Sequence, residues 1–260
     1  MERINRMYVN NFPDVFGLPD RNATIWRYMD LAKFVSLLEK RALFFNRSDL
    51  FDDRFEGSYP AGAAVEAALP RMVLDFAGDP SLPERVEKAN QWSSWRKQFR
   101  ESVLVNCWHI NEHESAAMWK LYADKGISIK STVQRLIDAI RCAEEVHVGA
   151  IQYRDYDYAT FPSMNVFHAC VSKRKSFEHE QELRAIIWDK DRFAGPSGSY
   201  PVHKRDRGTY AATDPDRLVE EIRVLPGAHT DILESVASIC TKYRLKKEVR
   251  QSRLDDTPLY

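Results

Sequence analysis

The sequence predicts one α+β domain over residues 1–260, built on a mixed or antiparallel sheet, whole or split, with helices packed against it. Three observations carry this expectation. Segments of strand and helical spacing are mixed, without the strict alternation of a doubly wound protein. Several apolar runs are short. No shift in composition along the 260 residues is sharp enough to cut the chain in two.

The elements follow in order. "ATIWRYM" (23–29) reads as a strand. "DLAKFVSLLEKRA" (30–42) reads as a helix, with Asp30 placed to cap it and Leu31, Phe34, Val35 and Leu38 at helical spacing. "LFFNRSDLFDDRFEGS" (43–58) is a short strand running into an acidic loop. Residues 61–101 read as a helical insertion broken by a loop near "GDPSLP". "SVLVNCWHI" (102–110) is a strand and "ESAAMWKLYADK" (114–125) a helix. "GISIKST" (126–132) is a strand, "VQRLIDAIRCA" (133–143) a helix and "EVHVGAIQYRDY" (145–156) a strand. "FPSMNVFHACVSKR" (161–174) reads as helical and "EQELRAIIWD" (180–189) as a strand. A polar segment follows to about residue 215. Residues 216–260 extend the same domain as strand, helix and strand.

Lys plus Arg and Asp plus Glu both number 38, so the chain has no global pull toward nucleic acid or membrane. Local basic stretches occur at 95–100, 203–207 and 242–253. A solvated face is the plain reading of each. Cys107, Cys142, Cys170 and Cys240 make no C-x-x-C pair and suggest no disulfide framework. The first residues lack the apolar core of a signal peptide, and no apolar run reaches eighteen residues. A cytoplasmic protein without membrane contact is expected.

Several sites are missing. Neither G-x-G-x-x-G nor G-x-x-x-x-G-K-[ST] occurs, which argues against a Rossmann site and a P-loop. No G-x-S-x-G elbow occurs. Cys107, His109 and His113 do not complete a zinc ligand set by spacing.

Four candidates remain. On a strand from 180, Glu180, Glu182 and Arg184 line one face, and Leu183, Ala185 and Ile187 the other. Such a carboxylate pair can serve an oxocarbenium-like transition state, or it can be a solvated ion pair. Arg27 and Tyr28 lie on opposite faces of the first strand. Arg can clamp a phosphate and Tyr can stack on a flat ring, or they are a surface cation and a core aromatic. Asp49, Asp52, Asp53 and Glu56 can bind a divalent cation through oxygen, or form a turn anchored by Phe51 and Phe55. Trp119 and Tyr122 share one helix side, where they line a pocket or pack as core. Ser131 and Thr132 present hydroxyls on the next strand.

Taken together, "RY", "FDDRFEG", the Cys-bearing strand, "SAAMWKLYADKGISI" and "KSFEHEQELR" resemble, in this order, the bacterial domain-of-unknown-function 2971 family. The resemblance covers roughly residues 24–190. The chain departs from it at Arg54 and Phe177, where that family often shows Pro and Trp. The order of elements, ending in a strand that opens with E-x-E, is also similar to the ADP-ribosyltransferase layout. That resemblance implies NAD as substrate, bound without a glycine fingerprint. It implies that Arg27 holds the NAD, that Ser131 supports the nicotinamide ribose and that Glu182 stabilises the oxocarbenium ion. Glu180 would orient the acceptor, Tyr28 or Tyr122 can replace Ser131, and Trp119 and Arg184 complete the NAD site. A toxin or phage-defence effector that modifies RNA or protein, restrained by an antitoxin, is the implied role. The alternatives are a metal-dependent nuclease or hydrolase using Asp52, Asp53, Glu56 and the Glu180/Glu182 pair, and a non-catalytic partner-binding module using Lys246, Lys247 and Arg250.

Overall fold

The computed structural model describes residues 12–60, 96, 99–123, 126–163, 165–189 and 207–259. Most of the expected insertion at 61–101 lies outside the described residues, although 99–102 are helical. The strands are β1 (Thr24–Asp30), β2 (Ala42–Arg47), β3 (Val103–Ile110), β4 (Gly126–Thr132), β5 (Val146–Ala150), β6 (Gln152–Arg154), β7 (Ser172–Arg174), β8 (Glu182–Trp188), β9 (Gly208–Ala212), β10 (Glu221–Val224) and β11 (Val249–Gln251). The helices are α1 (Leu31–Lys40), α2 (Ala116–Tyr122), α3 (Val133–Ala139), α4 (Phe167–Cys170), α5 (Pro215–Leu218) and α6 (Thr230–Lys242).

Nine strands form one open, mainly antiparallel sheet flanked by helices, and β6 pairs with β7 apart from it. The sheet forks at β3. Strand β8 runs along one edge of β3 from Val103 to His109. On the other edge, β1 meets β3 at His109 and Ile110, whereas β2 meets it at Leu104 and Val105. The fork is bridged by side chains: Asn106 Nδ2 donates to the Phe44 carbonyl at 2.9 Å and Trp108 Nε1 donates to Asn106 Oδ1 at 2.8 Å. One half-sheet continues from β1 to β4, β10 and β11, the other from β2 to β9.

Alternation along the strands sorts the residues by face. Ile25, Met29, Leu104, Trp108, Ile127, Ile129, Leu183, Ala185 and Ile187 point to one face, where α1, α3 and α6 cover them in the main core. Asp30 caps α1 as its position predicts, its Oδ1 accepting from Lys33 N at 2.7 Å. The other face carries two smaller cores. Val103, Val105 and Ile186 pack with Phe16, Phe99, Phe167 and Val171 at one end. Trp26 and Tyr28 pack with Met118 and Trp119 of α2 at the other. The rows between them, Cys107 with Arg184 and His109 with Glu182, are polar.

Four local expectations are corrected. Residues 145–156 form two strands, because the chain changes partner at Ile151: its N–H donates to Glu182 O, and that of Gln152 to Val171 O. In 161–174 only Phe167–Cys170 is α-helical, and Ser172–Arg174 are extended beside β6. The strand expected from 180 starts at Glu182. The polar segment hides β9, which pairs with β2 from Ala42 to Asn46. Among the described residues, no helix is long and apolar enough to cross a membrane.

Residues 216–260 join the sheet by pairing β10 with β4, and a buried carboxylate ahead of α2 ties them down further. Glu114 accepts from Arg223 Nη1 (2.5 Å), Arg253 N (2.6 Å), Ser252 Oγ (2.7 Å) and Trp119 Nε1 (3.0 Å). Burial raises its pKa, but these four donors outweigh burial and set it below the ordinary 4.5. The contribution to stability is therefore fully present above pH 4.5 and lost as pH falls through the depressed pKa. Glu114→Gln is expected to cost roughly 2–3 kcal/mol at neutral pH. The difference in urea midpoint between wild type and variant should shrink below pH 4.5; a difference that stays constant would contradict this assignment.

Candidate functional site

Between the two smaller cores, Glu180, Glu182, Arg184, Lys173 and Glu56 form a continuous buried chain of charge. They come from four local structures. Arg184 and Glu182 share a face of β8, two residues apart. Lys173 lies on β7, and Glu56 lies on the loop after β2. Glu180 ends the 3₁₀ helix Lys175–Glu180, and Gln181 turns the chain with φ 39° and ψ 55°. That left-handed turn, uncommon for a residue with a Cβ, takes Glu180 off the strand. The expected row of three on one strand is thus corrected to a pair on β8 with Glu180 brought in from outside it.

The geometry is closely bonded. Arg184 Nε and Nη2 donate to the two Glu182 oxygens at 2.7 and 3.0 Å. Its Nη1 donates to Glu56 Oε1 at 2.5 Å and to the Cys170 carbonyl at 2.8 Å. Lys173 Nζ lies 2.5 Å from Glu180 Oε2 and 3.4 Å from Glu182 Oε2. Tyr122 Oη donates to Glu180 Oε1 at 3.1 Å. The Glu182 N–H donates to Tyr153 Oη at 2.8 Å, and His109 Nδ1 donates to the Glu180 carbonyl at 2.6 Å. Burial alone would raise the Glu182 pKa, but the charge and hydrogen bonds of Arg184, then Lys173 and the Cys107 thiol, bring it down to about 2. Burial lowers the Lys173 pKa less than Glu182 and Glu180 raise it, so the ammonium is retained.

Two features distinguish this chain of charge from a closed ion pair. Among the described residues, three carboxylates have one lysine and one arginine in ion-pair range, with the Arg100 side chain outside that range beside Gly57. Glu56 Oε2 also has no hydrogen-bond partner among the described residues. In addition, the chain reaches the surface at one end. Tyr122, bonded to Glu180, is 48% exposed, and Leu121 beside it is 56% exposed. Glu180 and Glu182 are equally buried, and Glu180 is the one bonded to the half-exposed Tyr122.

The sequence candidates divide accordingly. Glu180, Glu182, Arg184 and Tyr122 come together. Trp119 and Tyr28 pack edge-to-face at 5.1 Å inside the aromatic core, with Tyr28 Oη accepting from Ser115 N; they line no opening. Ser131 alternates onto the opposite sheet face, where its hydroxyl donates to the Leu218 carbonyl at 2.5 Å. Arg27 also alternates onto that face, its guanidinium 5.9 Å from the Trp108 ring. The expected grouping of Arg27, Ser131 and Glu182 is therefore corrected: strand alternation puts the sheet between the first two and the third. In the acidic loop, Asp53 accepts from Arg174 at 2.7 Å and Glu56 faces Arg184. Among the described residues, no three His, Cys, Asp or Glu side chains are disposed to hold a metal ion.

Sequence reasoning missed Lys173 and Tyr153, and grouped Glu56 with Glu180 and Glu182 only as a metal ligand. The only signal for Lys173 was the extended S-K-R following an apolar run, which had read as helix.

Arg27 remains unusual. Its Nη1 is shielded from water with no hydrogen-bond partner among the described residues, and burial lowers its pKa to about 10. An unpaired buried donor costs roughly 1–3 kcal/mol. Arg27→Met, which keeps the packing on Trp108, is expected to raise the urea midpoint or leave it unchanged. A clear fall would show that the charge itself stabilises the fold.

Comparison with family models, with curated proteins and with solved structures returns no match for this chain.

Proposed function

We propose that this protein transfers ADP-ribose from NAD to an acceptor, with Glu180 as the carboxylate nearest the reacting sugar. The observation that carries the reading is the excess of the Glu56, Glu180 and Glu182 carboxylates over Lys173 and Arg184, the cations in ion-pair range of them, with Glu180 bonded to the half-exposed Tyr122. A site with surplus negative charge favours a group that becomes positive, and an oxocarbenium ion is such a group.

In this reaction the bond from the ribose anomeric carbon to the nicotinamide nitrogen breaks. Nicotinamide leaves as a neutral molecule, taking the bonding electron pair. Positive charge develops on the sugar, where the Glu180 carboxylate opposes it. An acceptor nucleophile then bonds to the anomeric carbon and gives up its proton. Lys173 and Tyr122 hold Glu180 in place, and Arg184 and Lys173 hold Glu182 behind it. The half-exposed Tyr122 ring offers a flat surface at the opening for the departing ring. An effector that modifies RNA or protein, restrained by a partner, fits such an activity.

Purified protein given labelled NAD with total RNA, DNA or cell extract tests this. Label in any acceptor supports the reading and identifies the acceptor class. No transfer, together with no heat of NAD binding in calorimetry, overturns it.

A further inference from the structure

The charge of the whole chain balances, but one surface does not. The turn from α6 to β11 carries Lys242, Arg244, Lys246 and Lys247. Among the described residues none of these four has a carboxylate in ion-pair range. The nearest acid in sequence, Glu248, is committed to Arg250 at 2.6 Å. Elsewhere, Arg47, Arg174, Arg184 and Arg223 all have acidic partners. Four cations without an ion pair thus fall within six residues, although other cations such as Lys120, Arg141 and Lys175 also lack one among the described residues.

These residues also surround a hollow. Arg244, Lys246 and Lys247 rim an open depression of about 520 Å³ whose floor includes Cys240 and Leu245. Both floor residues are buried. The wall includes Thr241, whose hydroxyl donates to the Ala237 carbonyl at 3.0 Å and keeps its lone pairs for a donor from outside. The combination is specific: an apolar floor for a flat ring, cations for phosphates and a hydroxyl acceptor between them.

We infer that this hollow binds single-stranded RNA, one base seated over Cys240 and Leu245 and the flanking phosphates on Arg244, Lys246 and Lys247. The volume suits one nucleotide and not a duplex. Thr241 Oγ1 can accept from a ribose 2′-hydroxyl, which DNA lacks. An anionic membrane would meet the cations but leave the recessed apolar floor unused. RNA binding stands independently of ADP-ribosyl transfer; that the bound RNA is also the acceptor rests on the reading above.

The test is fluorescence anisotropy of a short labelled oligouridine with the full chain and no NAD. The same-length oligodeoxyuridine, a duplex and phosphatidylserine vesicles serve as competitors. RNA should bind best. Between about 50 and 200 mM salt the logarithm of affinity should fall with a slope of about −2, as three phosphate contacts on single strands imply. K246E/K247E should lose at least about tenfold in affinity and flatten the slope to between about −1 and 0, with its circular dichroism unchanged. Thr241→Val should erase the preference for RNA over DNA and keep the salt slope. No RNA binding at about 50 mM salt overturns the inference. So do tighter binding of duplex or vesicles, and RNA affinity unchanged by K246E/K247E. Because NAD is absent, failure here leaves the transferase reading standing, and the reverse holds too.

Discussion

Arg184→Met is expected to lower stability by about 3–5 kcal/mol, the cost of leaving buried carboxylates without their counter-charge. Arg184 is 1% exposed and is the sole cation in range of Glu56 among the described residues. It also bonds both oxygens of Glu182 and the Cys170 carbonyl. Without it, Glu56 and Glu182 keep only Lys173, 3.4 Å from Glu182. A small domain holds about 5–15 kcal/mol in all, so a large share of its stability is at stake. Lysine should not rescue, since a single ammonium cannot reproduce the forked contact. The triple variant E56Q/E182Q/R184M should recover most of the loss, because it removes the orphaned charges as well. Urea denaturation of the four proteins checks this. A loss under about 1 kcal/mol for Arg184→Met would mean that water reaches the carboxylates.

The same contacts fix an acid limit. The Glu182 pKa is about 2 in the fold against an ordinary 4.5. Its contribution to stability is present above pH 4.5 and disappears as pH falls toward 2.

Glu180→Gln is expected to act differently. The change keeps the shape; its one amide oxygen can accept from Lys173, and its NH2 can donate to Tyr122 Oη, which turns from donor to acceptor. Glu180 is bonded to the half-exposed Tyr122, and its neutralisation leaves Glu56 and Glu182 matched one-to-one by Arg184 and Lys173. The fold should therefore tolerate it. Transfer from NAD should fall by about 10²–10³, the usual effect of removing one group aimed at developing charge. Glu182→Gln should lose activity and stability together, because Glu182 anchors Arg184. Separation of the two effects between neighbouring glutamates follows from the turn at Gln181.

Most of the scaffold was legible in the sequence. Alternation in "VLVNCWHI" and "LRAIIW" gave β3 and β8, and helical spacing with Asp30 gave α1 and its cap. What failed was any element whose partner is distant. Ser172–Arg174 is three residues long and is a strand only because β6 lies beside it. β9 is a run of small residues held by β2. At the site, the E-x-E-x-R spacing pointed to the right segment but not to its shape. Nothing local announces that Gln181 adopts a left-handed conformation, and so the strand reading placed Glu180 on β8. Glu56 and Lys173 were invisible as partners because they are 128 and 11 residues from Arg184. Arg27 and Ser131 were misplaced for a simpler reason: strand parity decides the face, and the register with β3 that fixes parity is a tertiary fact.

The central claim is that Glu180 faces a sugar on which positive charge develops. Its most direct test is labelled-NAD transfer by wild type, Glu180→Gln and Glu182→Gln, each paired with its urea midpoint. The account predicts transfer by the wild type, near-complete loss in Glu180→Gln at an unchanged midpoint, and loss with a lowered midpoint in Glu182→Gln. Full transfer by Glu180→Gln, or no transfer by wild type with any acceptor, would contradict it.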